Sequence, residues 1–192
     1  EKNEELKTLV LNETPWVWEG NNETRQRQEL VHFFDENGIA QRLNTATNKL
    51  RQLQGRDGGW GWFEDMKSSP SITLAVAEMI TRLQTLTGGR TDMNRNLERA
   101  FKFMGTAVKE EVAEIKEREK KGEKDVLPSE WAVRYLYVSS LVDKEYYEDV
   151  QAERKFLISR MAKQPVAFTI YGKAVAAVIL AKNGYTQMGK EY

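Results

Sequence analysis

The chain has 192 residues, 40% of them hydrophobic and 30% charged, which is enough for one sizeable helical or mixed core. Lys+Arg and Asp+Glu are equal at 29 each, so no net field draws nucleic acid or an anionic membrane surface. Cysteine is absent, which excludes disulfides, thiolate zinc sites, iron–sulfur clusters and a cysteine nucleophile. The single histidine, His32, leaves no multi-histidine metal site.

Leu6, Leu9 and Val10 predict a short first helix that ends before Pro15, and Trp16 to Asn22 reads as an ordered loop whose two indoles pack back on the body. The opening Glu1-Lys2-Asn3-Glu4-Glu5 lacks methionine and reads as a piece of a longer polypeptide. A helix over residues 23–36 carries Leu30, Val31, Phe33 and Phe34, and Asn37-Gly38 is expected to end it with a left-handed cap. Over residues 39–54, Ile39, Leu43, Ala46, Leu50 and Leu53 recur at steps of four and three, the single apolar stripe of an outward-facing helix.

After Gly55 comes an aromatic, glycine-rich turn, Arg56 to Phe63, before Ser69-Pro70 opens a helix over 70–86 that is apolar round most of its circumference. Gly88-Gly89 closes it. A long helix over 91–121 shows Leu97, Phe101, Met104, Val108, Val112 and Ile115 on one stripe, and its charged end, Glu117 to Lys124, reads as a solvated extension. Leu127-Pro128-Ser129 opens a helix over 130–141, apolar nearly all round. An amphipathic helix over 143–163 follows, broken by Gln164-Pro165, and a last apolar helix over 167–182 is capped by Gly184.

Striped helices (39–54, 91–121, 143–163) thus alternate with helices greasy on most faces (70–86, 128–141, 167–182). The second kind must be covered on every side and the first kind does the covering. The expected fold is therefore all-α: one helical domain over residues 1–192, built of antiparallel helical hairpins that form a partial α/α toroid. No membrane-spanning run is present.

Three sets of residues invite a chemical reading. Gln54, Asp57, Gly58, Gly59, Trp60, Trp62 and Phe63 form a candidate structural or binding turn: the rings can line a concave surface for an apolar or carbohydrate ligand, or the turn can staple an outer helix to an inner one. Stapling is the stronger reading, with Gln54 or Asp57 bonding exposed backbone groups. The glycines do not make a nucleotide loop, because no strand precedes them and no Gly-Lys-Ser/Thr follows. Glu130 and Glu78, both on greasy helices, are candidates for cavity carboxylates of the kind paired acids use in glycosidases, while His32 beside Phe33 and Phe34 can be a general base or a lone ligand but reads better as an ordinary helix histidine. The acidic run Asp143, Glu145, Glu148 and Asp149 complements a helix dipole. Asn12-Glu13-Thr14 and Asn22-Glu23-Thr24 match the glycan acceptor pattern. No cofactor or metal is called for.

Leu6-Lys7 through Leu11-Asn12-Glu13-Thr14-Pro15-Trp16-Val17, Leu50 to Gln54 with Asp57 to Phe63, Ser71-Ile72-Thr73, Leu127-Pro128-Ser129-Glu130 and Tyr135-Leu136-Tyr137-Val138 resemble bacterial alpha-2-macroglobulin family proteins over most of the chain. The resemblance implies the family's thioester-domain-like region, an α/α toroid related in shape to terpenoid cyclases, whose glutamine–tryptophan turns are similar to Gln54–Trp60. It also implies a periplasmic or envelope-anchored protease trap in which a protease cuts a bait region and the trap changes shape around it. Its partners would be neighbouring domains of the same polypeptide and the trapped proteases. The thioester of such proteins needs a Cys-Gly-Glu-Gln-like motif, so none can form within this cysteine-free chain. The motif then lies upstream in a parent, or the chain belongs to the members without it, which is the preferred expectation. The runner-up reading is a toroidal carbohydrate-active hydrolase or lyase using Glu130 or Glu78 beside an aromatic cavity, and a helical-repeat peptide binder would show an exposed apolar groove.

Overall fold

The three-dimensional structure is a computed structural model that describes residues 36–88, 92–163 and 169–192. The expected first helix, the Trp16–Trp18 loop, the 23–36 helix, His32, both glycan triplets, Gly89 and Gln164-Pro165 lie outside the described residues. By its contacts the chain falls into two compact units, Glu1–Asn48 and Lys49–Tyr192, and the core described below belongs to the second.

Helix α1 (Glu36–Leu53) already contains Asn37 and Gly38, so the left-handed stop expected there does not form. A glycine inside a helix costs only about 1 kcal/mol relative to alanine, too little to interrupt the heptad-like run of apolar residues that follows. Helix α2 (Pro70–Thr87) starts as its sequence dictates. Ser69 is extended and its side chain accepts from the Ile72 N–H, Pro70 sits where no N–H is needed, and Gly88 closes the helix at φ 61°. Helix α3 (Asn94–Lys120) buries Leu97, Phe101, Met104, Val108, Val112 and Ile115, with Ala100 and Gly105 beside them. Each large side chain on that stripe contributes about 1.5–3 kcal/mol on leaving water, which is why this helix persists for 27 residues. At its charged end Glu119 accepts from Arg160 at 2.8 Å and Arg118 donates to Glu123 at 2.6 Å.

Helix α4 (Glu130–Ser139) is started by Ser129, whose side chain accepts from the Ala132 N–H. Glu111 of α3 fixes that serine with both carboxylate oxygens: Oε1 accepts from its N–H at 2.7 Å and Oε2 from its hydroxyl at 2.9 Å. The amphipathic helix expected over 143–163 is two segments, a 3₁₀ stretch (Lys144–Val150) kinked inside by Tyr147 at non-helical φ −132°, ψ 23°, and helix α5 (Gln151–Met161), which Val150 at φ −129°, ψ 23° separates from it. The break has a packing cause. Tyr147 and Val150, three apart, both bury in the 3₁₀ stretch, which lies along α3, while Tyr146 sets its ring against Phe101 with centroids 5.8 Å apart. After the break the buried positions resume at helical spacing with Arg154, Leu157, Ile158 and Met161. Helix α6 (Ile170–Lys182) begins at Thr169, which caps the Gly172 N–H, and a final turn, α7 (Thr186–Gly189), folds back on it.

Within the second unit the described elements are all helical. Helices α2, α4 and α6 form one row, α2 against α4 and α4 against α6; α3 and α5 pack together alongside, α3 on α2 and α5 on α4 and α6. The row membership follows the greasy-versus-striped alternation. The enclosure expected of all three greasy helices does not. Helix α4 is enclosed, with Ala132, Val133, Tyr135, Leu136, Val138 and Ser139 buried. Helix α2 leaves Met79 and Leu86 exposed, and α6 buries only Ala176, Ile179 and Leu180 while Ile170 is 91% and Tyr171 71% exposed. Among the described helices α4 stands between α2 and α6 in the row, whereas α2 and α6 stand at its ends.

Candidate functional site

The Gln54–Phe63 turn joins three helix ends. The Gln54 carboxamide is buried; its Nε2 donates to the Gly58 carbonyl at 2.8 Å and to the Asn96 carbonyl at 2.9 Å, and its Oε1 accepts from Asn96 Nδ2 at 2.6 Å and from Arg99 at 3.3 Å. Arg99 also donates to the carbonyls of Gly55 and Arg56. These bonds fasten the end of α1 to the start of α3. Trp60 fastens both to α2. Its indole N–H donates to the Leu50 carbonyl at 2.9 Å, its backbone N–H donates to Thr73 Oγ1 at 2.9 Å, and its carbonyl accepts from the Ser69 N–H.

Asp57 holds the loop's shape by accepting from the Gly59 N–H at 3.1 Å and from Ser68 at 2.7 Å. Gly58 has φ 94°, and a Cβ there would stand 2.5 Å from the Arg99 carbonyl oxygen; a Cβ on Gly59 would meet the Phe103 ring at 2.8 Å. Only glycine lets the backbone pass at these two points. Trp60 is 2% exposed, whereas Trp62 and Phe63 are 70% and 76% exposed and Met66 54%. The turn is therefore divided: Gln54, Asp57, Gly58, Gly59 and Trp60 build the junction, and Trp62 and Phe63 face solvent. Trp60, sealed in the junction, is not exposed alongside them.

The two candidate carboxylates have different surroundings. Glu78, on α2, is nearly buried and is held by two guanidinium groups, Arg82 at 2.7 Å to Oε1 and Arg134 of α4 at 2.7 Å to Oε2. Arg82 reaches on to the Tyr137 hydroxyl at 3.4 Å and lies over its ring. Glu130 is exposed at the first turn of α4, where its charge complements the N-terminal dipole. It also lines a groove of about 260 Å³ between α4 and α6, with Val133, Arg134, Tyr137, Tyr171 and Val175. Arg134 is the residue sequence reasoning missed: it stands one turn beyond Glu130 and so links Glu78 to the groove. Among the described residues no group of three or more acidic or histidine side chains is placed to hold a metal ion, and no helix is long and apolar enough to cross a membrane.

Aromatic rings also pack between α4 and α3. Trp131 stacks on Tyr135 at 5.6 Å, and Tyr135 meets Phe101 at 6.0 Å. Burial drives the Tyr135 phenol well above its ordinary range, opposed by the charge of Arg154.

No family model, curated protein or solved structure matches this chain.

Proposed function

We propose that this chain is a non-catalytic helical packing domain of a bacterial alpha-2-macroglobulin-like protease inhibitor, working in the periplasm or cell envelope by domain packing and conformational change, with no thioester of its own. The observation that carries the reading is the uncovered face of α6. Its sequence is apolar nearly all round, yet Ile170 and Tyr171 stand in solvent at its first turn and Val178 is 40% exposed farther along. Burying Ile170 and Tyr171 against a neighbour releases about 1.5–3 kcal/mol each, and clustered apolar surface of this kind marks a contact face. In this reading the covering neighbour is another domain of the same polypeptide, which continues the row α2–α4–α6 into a partial α/α toroid of terpenoid cyclase-like shape. The Gln54–Trp60 junction, similar to the glutamine–tryptophan turns of such toroids, keeps the hairpins rigid enough to transmit a shape change. The target proteases of the whole protein are the remaining partners.

A photo-crosslinking residue at Tyr171, in the polypeptide as its own cells make it, tests this reading. The expected product is a link to another domain of the same polypeptide that changes when a protease is added. A link that protease leaves unchanged removes the trap role, and the lack of any protein link removes the packing role.

A second reading has one observation in its favour. Glu130 shares its groove with Tyr137 and Tyr171, as a carboxylate beside sugar-stacking rings would in a toroidal carbohydrate-active hydrolase or lyase. Release of reducing ends from a polysaccharide panel, abolished by Glu130→Gln, would establish that reading, and no release from any polysaccharide removes it.

A further inference from the structure

Arg154 occupies a position on the buried stripe of α5, one turn before Leu157 and Ile158, and is only 4% exposed. Enclosing a guanidinium costs several kcal/mol unless an anion answers it. Here the answer is incomplete. Nε donates to Ser139 Oγ at 2.9 Å and the guanidinium lies 3.9 Å from the centre of the Tyr147 ring, but Nη2 is buried with no acceptor. None of the ion pairs among the described residues includes Arg154.

The same side chain stands in the wall of a cavity of about 360 Å³ between the 3₁₀ stretch, α5 and the end of α6. Lys144, Lys155 and Lys182 line it too, with Tyr147 and Tyr185, and no Asp or Glu is in the wall. Lys182 donates to the Ser140 carbonyl at 3.2 Å, and neither Lys144 nor Lys155 has an ion-pair partner among the described residues. The acidic residues of the same segments, Glu145, Glu148, Asp149 and Glu153, are not part of that wall. Four cations around one concavity repel one another, and a bound anion reverses the sign of that energy. Burial also lowers the proton affinity of Arg154, opposed by Tyr147 and Tyr135.

We propose that this cavity binds a multiply charged oxyanion of the phosphate class carried on a small organic body. Charge number argues for more than one negative charge. Volume argues for more than bare phosphate, since about 300 Å³ is the lower bound of ordinary small-molecule sites. Tyr147, Tyr185 and Ile158 give the organic part an apolar wall. The proposal is independent of the α6 face and stands or falls without it.

Calorimetric titration of the intact chain with inorganic phosphate, glucose 6-phosphate and glucose is the test. Saturable heat from both phosphate probes, stronger for the sugar phosphate, weakened by added salt and absent for glucose, is the expected result. Arg154→Met removes the central charge but also a buried side chain, so the exposed pair Lys144→Gln/Lys155→Gln carries the comparison. That double variant should keep its helical circular dichroism and bind about tenfold more weakly. No saturable heat from either phosphate probe, equal heat from glucose, or undiminished affinity in the double variant would overturn the assignment.

Discussion

Replacing Gln54 by alanine removes four hydrogen bonds at once, and their environments set what the loss costs. The bond from Nε2 to the Gly58 carbonyl is fully buried, so its acceptor is left without water; an orphaned buried group of this kind costs about 1–3 kcal/mol. The bonds shared with Asn96 and Arg99 are part-buried, and water can replace them at about 0.5–1 kcal/mol each. Because the four act through one carboxamide they do not add fully, and the net expectation is about 3 kcal/mol. For a domain of this size that lowers the melting temperature by about 6–12 °C. Urea unfolding followed by circular dichroism measures it as a fall in midpoint with an unchanged slope. Trp62→Ala, a larger deletion in the same turn from a ring that is 70% exposed, is the control and should cost less than about 0.5 kcal/mol. If Gln54→Ala were no more damaging than Trp62→Ala, the turn would not be the junction between α1, α2 and α3, and the reasoning from its bonds would fail.

Gly58→Ala forces a side chain into φ 94° and against the Arg99 carbonyl; a loss of about 3 kcal/mol or more is expected in the same urea assay. Raising the pH tests the core around Tyr135. Its phenol is held protonated in the folded chain by burial, while the unfolded chain releases the proton near pH 10, so the folded state binds more protons above that point. Stability is then intact below about pH 10 and falls by about 1.4 kcal/mol per pH unit above it, with Tyr146 and Tyr192 shifted in the same direction; a flat urea midpoint to about pH 11 would contradict this. Glu111→Gln leaves one acceptor oxygen where Ser129 N–H and hydroxyl each donate to a charged one, and should cost about 1 kcal/mol, read as a lower melting temperature.

What could be read from sequence was whatever depends on local spacing. The stripe from Leu97 to Ile115 recurs at helical intervals and is buried as expected, and Ser69-Pro70 and Leu127-Pro128-Ser129 open their helices where their chemistry says. What depends on neighbours was not legible. Trp60 and Trp62 are two residues apart and chemically identical, yet one is sealed between helix ends and the other is in solvent. Helix α6 is as apolar as α4, but among the described helices α4 lies between two others of the row and α6 lies at its end. The kink at Tyr147 falls where Tyr146 sets its ring on Phe101 of α3 while Tyr147 buries against Arg154, which no periodicity reports. The cationic cavity draws Lys144, Arg154, Lys155 and Lys182 from three elements. The sequence carries one trace of it: Arg154 falls where the spacing of Val150, Leu157 and Met161 calls for an apolar residue.

The claim on which the functional reading turns is that the apolar face of α6 is covered in the polypeptide as its cells make it. Hydroxyl-radical footprinting of that polypeptide, read by mass spectrometry at Tyr171 with Trp62 as the solvent-facing reference and Tyr135 as the buried one, measures this directly. The account predicts that Tyr171 is oxidised as slowly as Tyr135. Oxidation of Tyr171 at the rate of Trp62 would contradict it.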